Sequence, residues 1–132
     1  MPNNKQSTSP RVRVIQKLYG NSLNPEAIIE YPKSQYKKFI KDVVQGTIER
    51  NDLIEETISK YLAEDLDLKR TDKLLKIIIF AGIFELMFKH NSPTKVIISE
   101  YVKTSESFLE KAQIKFVNAI LDKISRNIRK PL

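Results

Sequence analysis

Histidine occurs once in this chain, at His90, cysteine is absent, and the three glycines stand apart at positions 20, 46 and 82. Those counts leave no thiolate or imidazole cluster for a metal, no cysteine nucleophile and no glycine-rich loop able to cradle a phosphate. Carboxylates are plentiful, yet no motif places two of them as an acid–base pair. The chain therefore reads as a non-enzyme, with no catalytic residue, metal ligand or cofactor expected. His90 stands beside a predicted helix end, where a cationic ring complements the helix dipole.

The residue types that do suggest chemistry are basic and aromatic. Arg11, Arg13 and Lys17 surround Tyr19 near the N-terminus, and Lys115-Phe116-Val117-Asn118 forms a second group. Guanidinium and ammonium groups contact phosphate oxygens, an aromatic ring stacks on an unpaired base, and an amide reads a base edge. A plainer role competes for each. The three N-terminal cations can be a solvated helix face with Tyr19 in the core, and Phe116 can pack inward. The helical stripe requires at least one of Phe116 and Val117 to face the interior. Asp122 has its own candidate partner four residues on, in Arg126.

The charge balance repeats this division. The net charge is +7 over 132 residues. Residues 1–20 contribute +4 and residues 109–132 another +4, while the middle sums to −1. Two basic ends packed side by side would make one positive patch suited to phosphates. Residues 52–67 oppose it, with Asp52, Glu55, Glu56, Glu64, Asp65 and Asp67 against Lys60 alone, a possible acidic surface. The most apolar run, Ile77 to Phe88, is twelve residues long and contains Gly82 and Glu85. A bilayer span needs about 20 apolar residues, so no membrane role is expected. The absence of cysteine and of an apolar leader at the N-terminus suggests the cytoplasm.

These groups must be positioned by helices, because no stretch alternates apolar and polar residues long enough for a sheet. A polar tail over 1–8, expected to be disordered, precedes a single domain over 9–130. Ser9-Pro10 opens the first helix, whose apolar positions run to Tyr19 before Gly20-Asn21 stops it. Asn24-Pro25 and Tyr31-Pro32 bracket a segment with room for a helical turn or two. The stripe Tyr36, Phe39, Ile40, Val43, Val44, Ile48 predicts a helix over 33–50, and Asn51-Asp52 a break and cap before the next, to about Ala63. Residues 64–70 read as a charged connector. Thr71 or Asp72 caps a helix to about Lys89 that is apolar nearly all round, the central core helix. Ser92 and Pro93 are placed as cap and first position of a helix carrying Val96, Ile97, Tyr101 and Val102. A last helix from about Lys111 to Arg129 shows Phe116, Val117, Ile120, Leu121, Ile124 and Ile128 at helical spacing.

Four blocks then carry a resemblance: Gln16-Lys17-Leu18-Tyr19, Ala81-Gly82-Ile83-Phe84-Glu85-Leu86, the run from Pro93 to Val102, and the run from Lys115 to Asp122. In order and spacing they resemble the bacterial transcription antitermination factor NusB family, over about residues 9–126. The resemblance implies an all-α fold, a compact bundle of about seven helices arranged as two packed helical subbundles. It also implies an RNA-binding adaptor that takes boxA-like single-stranded RNA of ribosomal RNA operon transcripts together with the ribosomal protein NusE. Other Nus factors and RNA polymerase would be reached indirectly. Carried over residue by residue, it selects Arg11, Tyr19, Lys115, Phe116 and Asn118 for RNA, to which the basic N-terminal group adds Arg13 and Lys17, and it selects Asp72 and Glu85 for the protein partner. Family members occur as monomers and dimers, so a homodimer that hides the first helix is possible.

The chain departs from the family at Ile79-Phe80, where Leu-Arg is usual, with Lys76 one turn earlier as a partial substitute. Arginine is sparser at its N-terminus, and Ala119 stands where glycine is usual. Two other readings compete. Some ribosomal RNA cytosine methyltransferases carry a similar N-terminal region, although Leu132 leaves no room for a cofactor-binding α/β domain. The other is a purely protein-binding helical scaffold with solvated basic faces.

Overall fold

The computed structural model describes residues 9–62 and 72–129. The tail expected over 1–8, the connector over 64–70 and Thr71 as a cap lie outside the described residues. Among the described residues all regular structure is helical: α1 (Pro10–Leu23), α2 (Lys37–Glu49), α3 (Asn51–Ser59), α4 (Lys73–Phe88), α5 (Thr94–Ser105) and α6 (Lys111–Ile128). They number six against the about seven expected. The segment between Asn24 and Tyr31 holds one tight turn, closed by the Ala27 N–H on the Asn24 carbonyl, and no helix.

α4 is the axis of the fold because its sequence leaves it no polar face. Every residue from Ile78 to Leu86 is buried, and the helix packs against all five others. α1, α2 and α3 form one group around it, α5 and α6 a second, and one apolar cluster runs through both. Named contacts give the directions. Arg11 meets Glu85 while Leu18 shares a cleft wall with Ile77 and Phe80, so α1 runs antiparallel to α4. Arg129 meets the end of α4 and Leu121 meets Gly82, so α6 runs parallel to it.

Local chemistry explains the boundaries, including those that differ from expectation. α1 continues through Gly20, which is exposed and costs a helix only about 1 kcal/mol there. It ends at Asn24, whose backbone leaves the helical region ahead of Pro25. Asp72 caps α4 by accepting the Leu75 N–H at 3.1 Å. Asn51-Asp52 opens α3 without a side-chain cap, since α2 and α3 join directly at Arg50. Ser92 is not the cap of α5: Pro93 takes that place with extended backbone, and the Ser92 carbonyl accepts from Arg129 instead. Glu110 and Gln113 form a capping box at the start of α6. His90 donates to the Met87 carbonyl in the last turn of α4, the helix-end role its position suggested.

Close approach depends on two glycines. A Cβ at Gly46 would lie 2.2 and 2.3 Å from ring atoms of Phe84, and one at Gly82 would lie 2.9 Å from a Leu121 methyl. In open space Gly46→Ala would stabilise α2 by about 1 kcal/mol through helix propensity. Against Phe84 the overpacking term of about 1–3 kcal/mol dominates. We expect a net loss of about 1 kcal/mol in urea denaturation, relieved by adding Phe84→Leu; a gain from Gly46→Ala alone would show that the ring yields freely.

Candidate nucleic-acid interface

The nine residues singled out for binding do not form one surface. Arg11 turns inward. Its guanidinium donates to both Glu85 oxygens, at 2.9 and 2.7 Å, and reaches Glu100 at 3.5 Å. It also sits 4.8 Å from the Phe39 ring centre and 5.5 Å from that of Tyr101. Burial works against its charge, but the bond and charge of Glu85 outweigh that and hold its pKa above the usual arginine value. Glu85 is 0% exposed and also accepts the Tyr101 hydroxyl. Burial, then Glu85, pushes the Tyr101 phenol well above its ordinary pKa. Glu85 therefore offers nothing to a protein partner, and Arg11 is no open phosphate contact. A lone carboxylate in the buried apolar stretch of a helix must be paired where it lies, and these two residues satisfy one another.

Arg13 and Lys17, four apart on α1, are both half-buried. With Lys37 and Tyr31 they line a cleft of about 350 Å³ that no carboxylate among the described residues lines. The Lys17 ammonium donates to the Glu30 carbonyl and stands 5.4 Å from the Tyr31 ring centre. Burial raises the Tyr31 pKa, partly offset by the amide that Gln45 donates to it. Lys37 and Tyr31 escaped the sequence reading because only the fold brings the start of α2 and the loop before it onto α1. Tyr19 is exposed, at 36%, so it is a surface ring rather than a core one.

On α6, Lys115 and Asn118 are exposed, Val117 is buried and Phe116 is half-buried against the core. The stripe thus commits Val117 inward and leaves an edge of Phe116 outside. Leu121 is level with Gly82, and five residues back along a parallel helix bring Phe116 level with Ile77. Leu18 lines a cleft with that same Ile77, so Tyr19 and the Lys115 block lie at similar heights along α4, on helices of the two different groups, while Arg11 lies toward the other end. Asp72 is exposed as well, its carboxylate already on the Leu75 N–H. Asp122 pairs with Arg126 at 2.7 Å.

Among the described residues, no group of three or more His, Cys, Asp or Glu could hold a metal ion, and no helix is long and apolar enough to cross a membrane. What these residues offer is cations, ring edges and the amide of Asn118.

Comparison with known proteins places this arrangement. The NusB family profile matches residues 5–126. A transcription antitermination protein NusB of Mesorhizobium japonicum is 37% identical over 92 residues, covering 70% of this chain and 59% of that protein. The protein of the same name from Novosphingobium aromaticivorans is 36% identical over 101 residues, covering 76% and 68%. The chain spans under two thirds of the Mesorhizobium protein and of those from Nitrobacter hamburgensis and Caulobacter vibrioides. A crystal form of T. maritima NusB has the same fold, with a TM-score of 0.78 over 89% of this chain and 90% of that one, at 24% identity. With the matching profile covering most of its length, the chain belongs to the NusB family.

Proposed function

We propose that the chain is an RNA-binding adaptor of transcription antitermination, acting in the cytoplasm without catalysis. It takes a short boxA-like single strand from ribosomal RNA operon transcripts and binds it jointly with the ribosomal protein NusE. The observations that carry this reading are the exposure of Tyr19, Lys115 and Asn118, the open edge of Phe116, and the place of Arg13 and Lys17 on the wall of a cleft beside α1. Rings for stacking, ammonium and guanidinium groups for phosphates and an amide for a base edge are what single-strand recognition uses. The name its relatives carry, transcription antitermination protein, supports the biological setting. Asp72, exposed at the cap of α4, is the residue assigned to the protein partner; Glu85 is not. Joint binding suits a surface whose cations are few.

The test is fluorescence anisotropy of a labelled boxA-like RNA with and without NusE. Lys115→Ala combined with Phe116→Ala should weaken binding about tenfold or more, the stacked ring alone contributing about 1–3 kcal/mol. With phosphate contacts from Arg13, Lys17 and Lys115, raising salt from about 50 to 200 mM should weaken binding about twenty-fold. Wild-type affinity of the double variant would remove the assigned site. A protein partner that binds while no RNA is retained at low salt would favour a protein-only scaffold.

A further inference from the structure

A second cleft, of about 370 Å³, lies between α1, the junction of α2 with α3, and the start of α4. That volume falls in the range of small-molecule sites. Its walls divide by chemistry. Leu18, Ile77 and Phe80 supply an apolar floor; Asn21 and Asn51 supply amides with both donors and an acceptor; Lys73 and Lys76 supply positive charge. The first turns of α4 add the positive end of its dipole on the lysine side. Among the described residues no carboxylate lines the cleft, and neighbouring Asp72 holds its own on the Leu75 N–H.

Thr47 marks the cleft as unfinished. It is 5% exposed and lines the wall, yet its hydroxyl has no hydrogen-bond partner among the described residues. A helical threonine commonly returns its hydroxyl to the carbonyl one turn back, as Thr57 does to Leu53. A buried hydroxyl without a partner is costly, and Thr47 belongs to the wall of this cleft, so a ligand there that reaches the hydroxyl would relieve the cost.

We propose that this cleft binds one nucleotide, its base on the apolar floor with its edge toward Thr47, Asn21 and Asn51, and its phosphate on Lys73 and Lys76. An inorganic anion would use the lysines and leave Thr47 unpaired. A purely apolar ligand would bury the hydroxyl and amides without partners. A cationic ligand would meet two ammonium groups. A planar heterocycle bearing a phosphate satisfies all three walls. The nucleotide can come from a bound RNA strand, in which case the site rests on the RNA reading above and extends it, or from a free mononucleotide.

The test is an NMR titration of the full chain, following the side-chain amides of Asn21 and Asn51. The probes are the ribonucleoside 5′-monophosphates, inorganic phosphate and a short single-stranded boxA-like RNA. Saturable shifts are expected from a monophosphate or from the RNA, at concentrations well below those at which inorganic phosphate acts. Thr47→Val and Lys76→Ala should each weaken binding about tenfold. Thr47→Val keeps the volume and removes an unpaired hydroxyl, so the free protein should melt no lower than wild type, and lost binding is then not lost folding. Shifts from RNA alone assign a strand nucleotide; shifts from monophosphates alone assign a free one. No shift from any nucleotide, equal shifts from inorganic phosphate, or wild-type binding by Thr47→Val would overturn the site. Should RNA bind the Thr47→Val, Lys76→Ala pair at wild-type affinity while monophosphates give nothing, the cleft proposal falls and the RNA reading stands. Should monophosphates bind and RNA not, the reverse holds.

Discussion

Glu85→Ala is expected to lower the stability of the fold by about 3–5 kcal/mol, the loss typical of removing one partner from a buried ion pair. The variant leaves the Arg11 guanidinium, 13% exposed at its side chain, facing a void with its principal acceptor gone, and it orphans the Tyr101 hydroxyl. Most of that loss is the desolvation of groups left unpaired rather than attraction forgone. A triple change to Arg11→Met, Glu85→Leu and Tyr101→Phe should therefore recover most of it, because apolar side chains of similar size need no partner. Urea denaturation of the single and triple variants checks both halves of the argument. A loss below about 1 kcal/mol in Glu85→Ala would show that the carboxylate is not what holds Arg11. Tyr101 adds a pH signature. Its phenol is held above its ordinary pKa, chiefly by burial and then by Glu85, so the folded chain keeps that proton longer than the unfolded chain. The contribution is whole below about pH 10, the unfolded value, and is lost as pH rises from there through the higher pKa of the folded chain.

This network also shows where the sequence could and could not be read. Periodicity was sufficient for the helices that matter most: α4, apolar on all sides, is the buried axis, and the α6 stripe from Val117 to Ile124 is the face that packs. Arg11 resembles a phosphate contact because it is a basic residue in a basic N-terminal segment, and the partner that turns it inward is 74 positions away. A signal was present, however. Glu85 stands as the one charge within the run from Ile77 to Phe88, and a charge in such a place requires a counter-charge from another helix. An arginine near the start of a helix antiparallel to α4 is a natural donor.

Phe116 resisted for a different reason. It lies at the edge of its stripe, where spacing allows either fate, and the structure gives it some of each: packed against the core and still partly open. Gly20 was overread as a stop when the stronger one, Asn24-Pro25, came four residues later. Lys37, Tyr31 and Thr47 could not have been found. They join their clefts only because α2 folds back along α1, and nothing local in their own segments marks them.

Arg129→Ala is expected to cost about 2–3 kcal/mol although the residue stands just past the last helix. The carbonyls of the last turn of α4 have no partners within that helix, and the Arg129 guanidinium supplies several at once. Its Nε donates to Leu86 at 2.8 Å, one terminal nitrogen donates to Glu85 at 3.2 Å and to Lys89 at 2.9 Å, and the other donates to Ser92 at 2.6 Å. Charge-assisted bonds contribute about 1.5–3 kcal/mol each in favourable cases, but they share one side chain and one helix end, so they do not sum. The Lys89 N–H still serves Glu85, and His90 serves Met87, which limits the damage to the Leu86 carbonyl and the turn into α5. Arg129→Lys should recover less than half of the loss, because one ammonium cannot reach what a five-donor fork reaches. The decisive readout is local: amide hydrogen exchange should speed up at the end of α4 and the start of α5, with the α1–α2 pair little changed. Uniform acceleration across all helices would mean that Arg129 acts on global stability alone, and unchanged exchange would mean that the clamp contributes nothing.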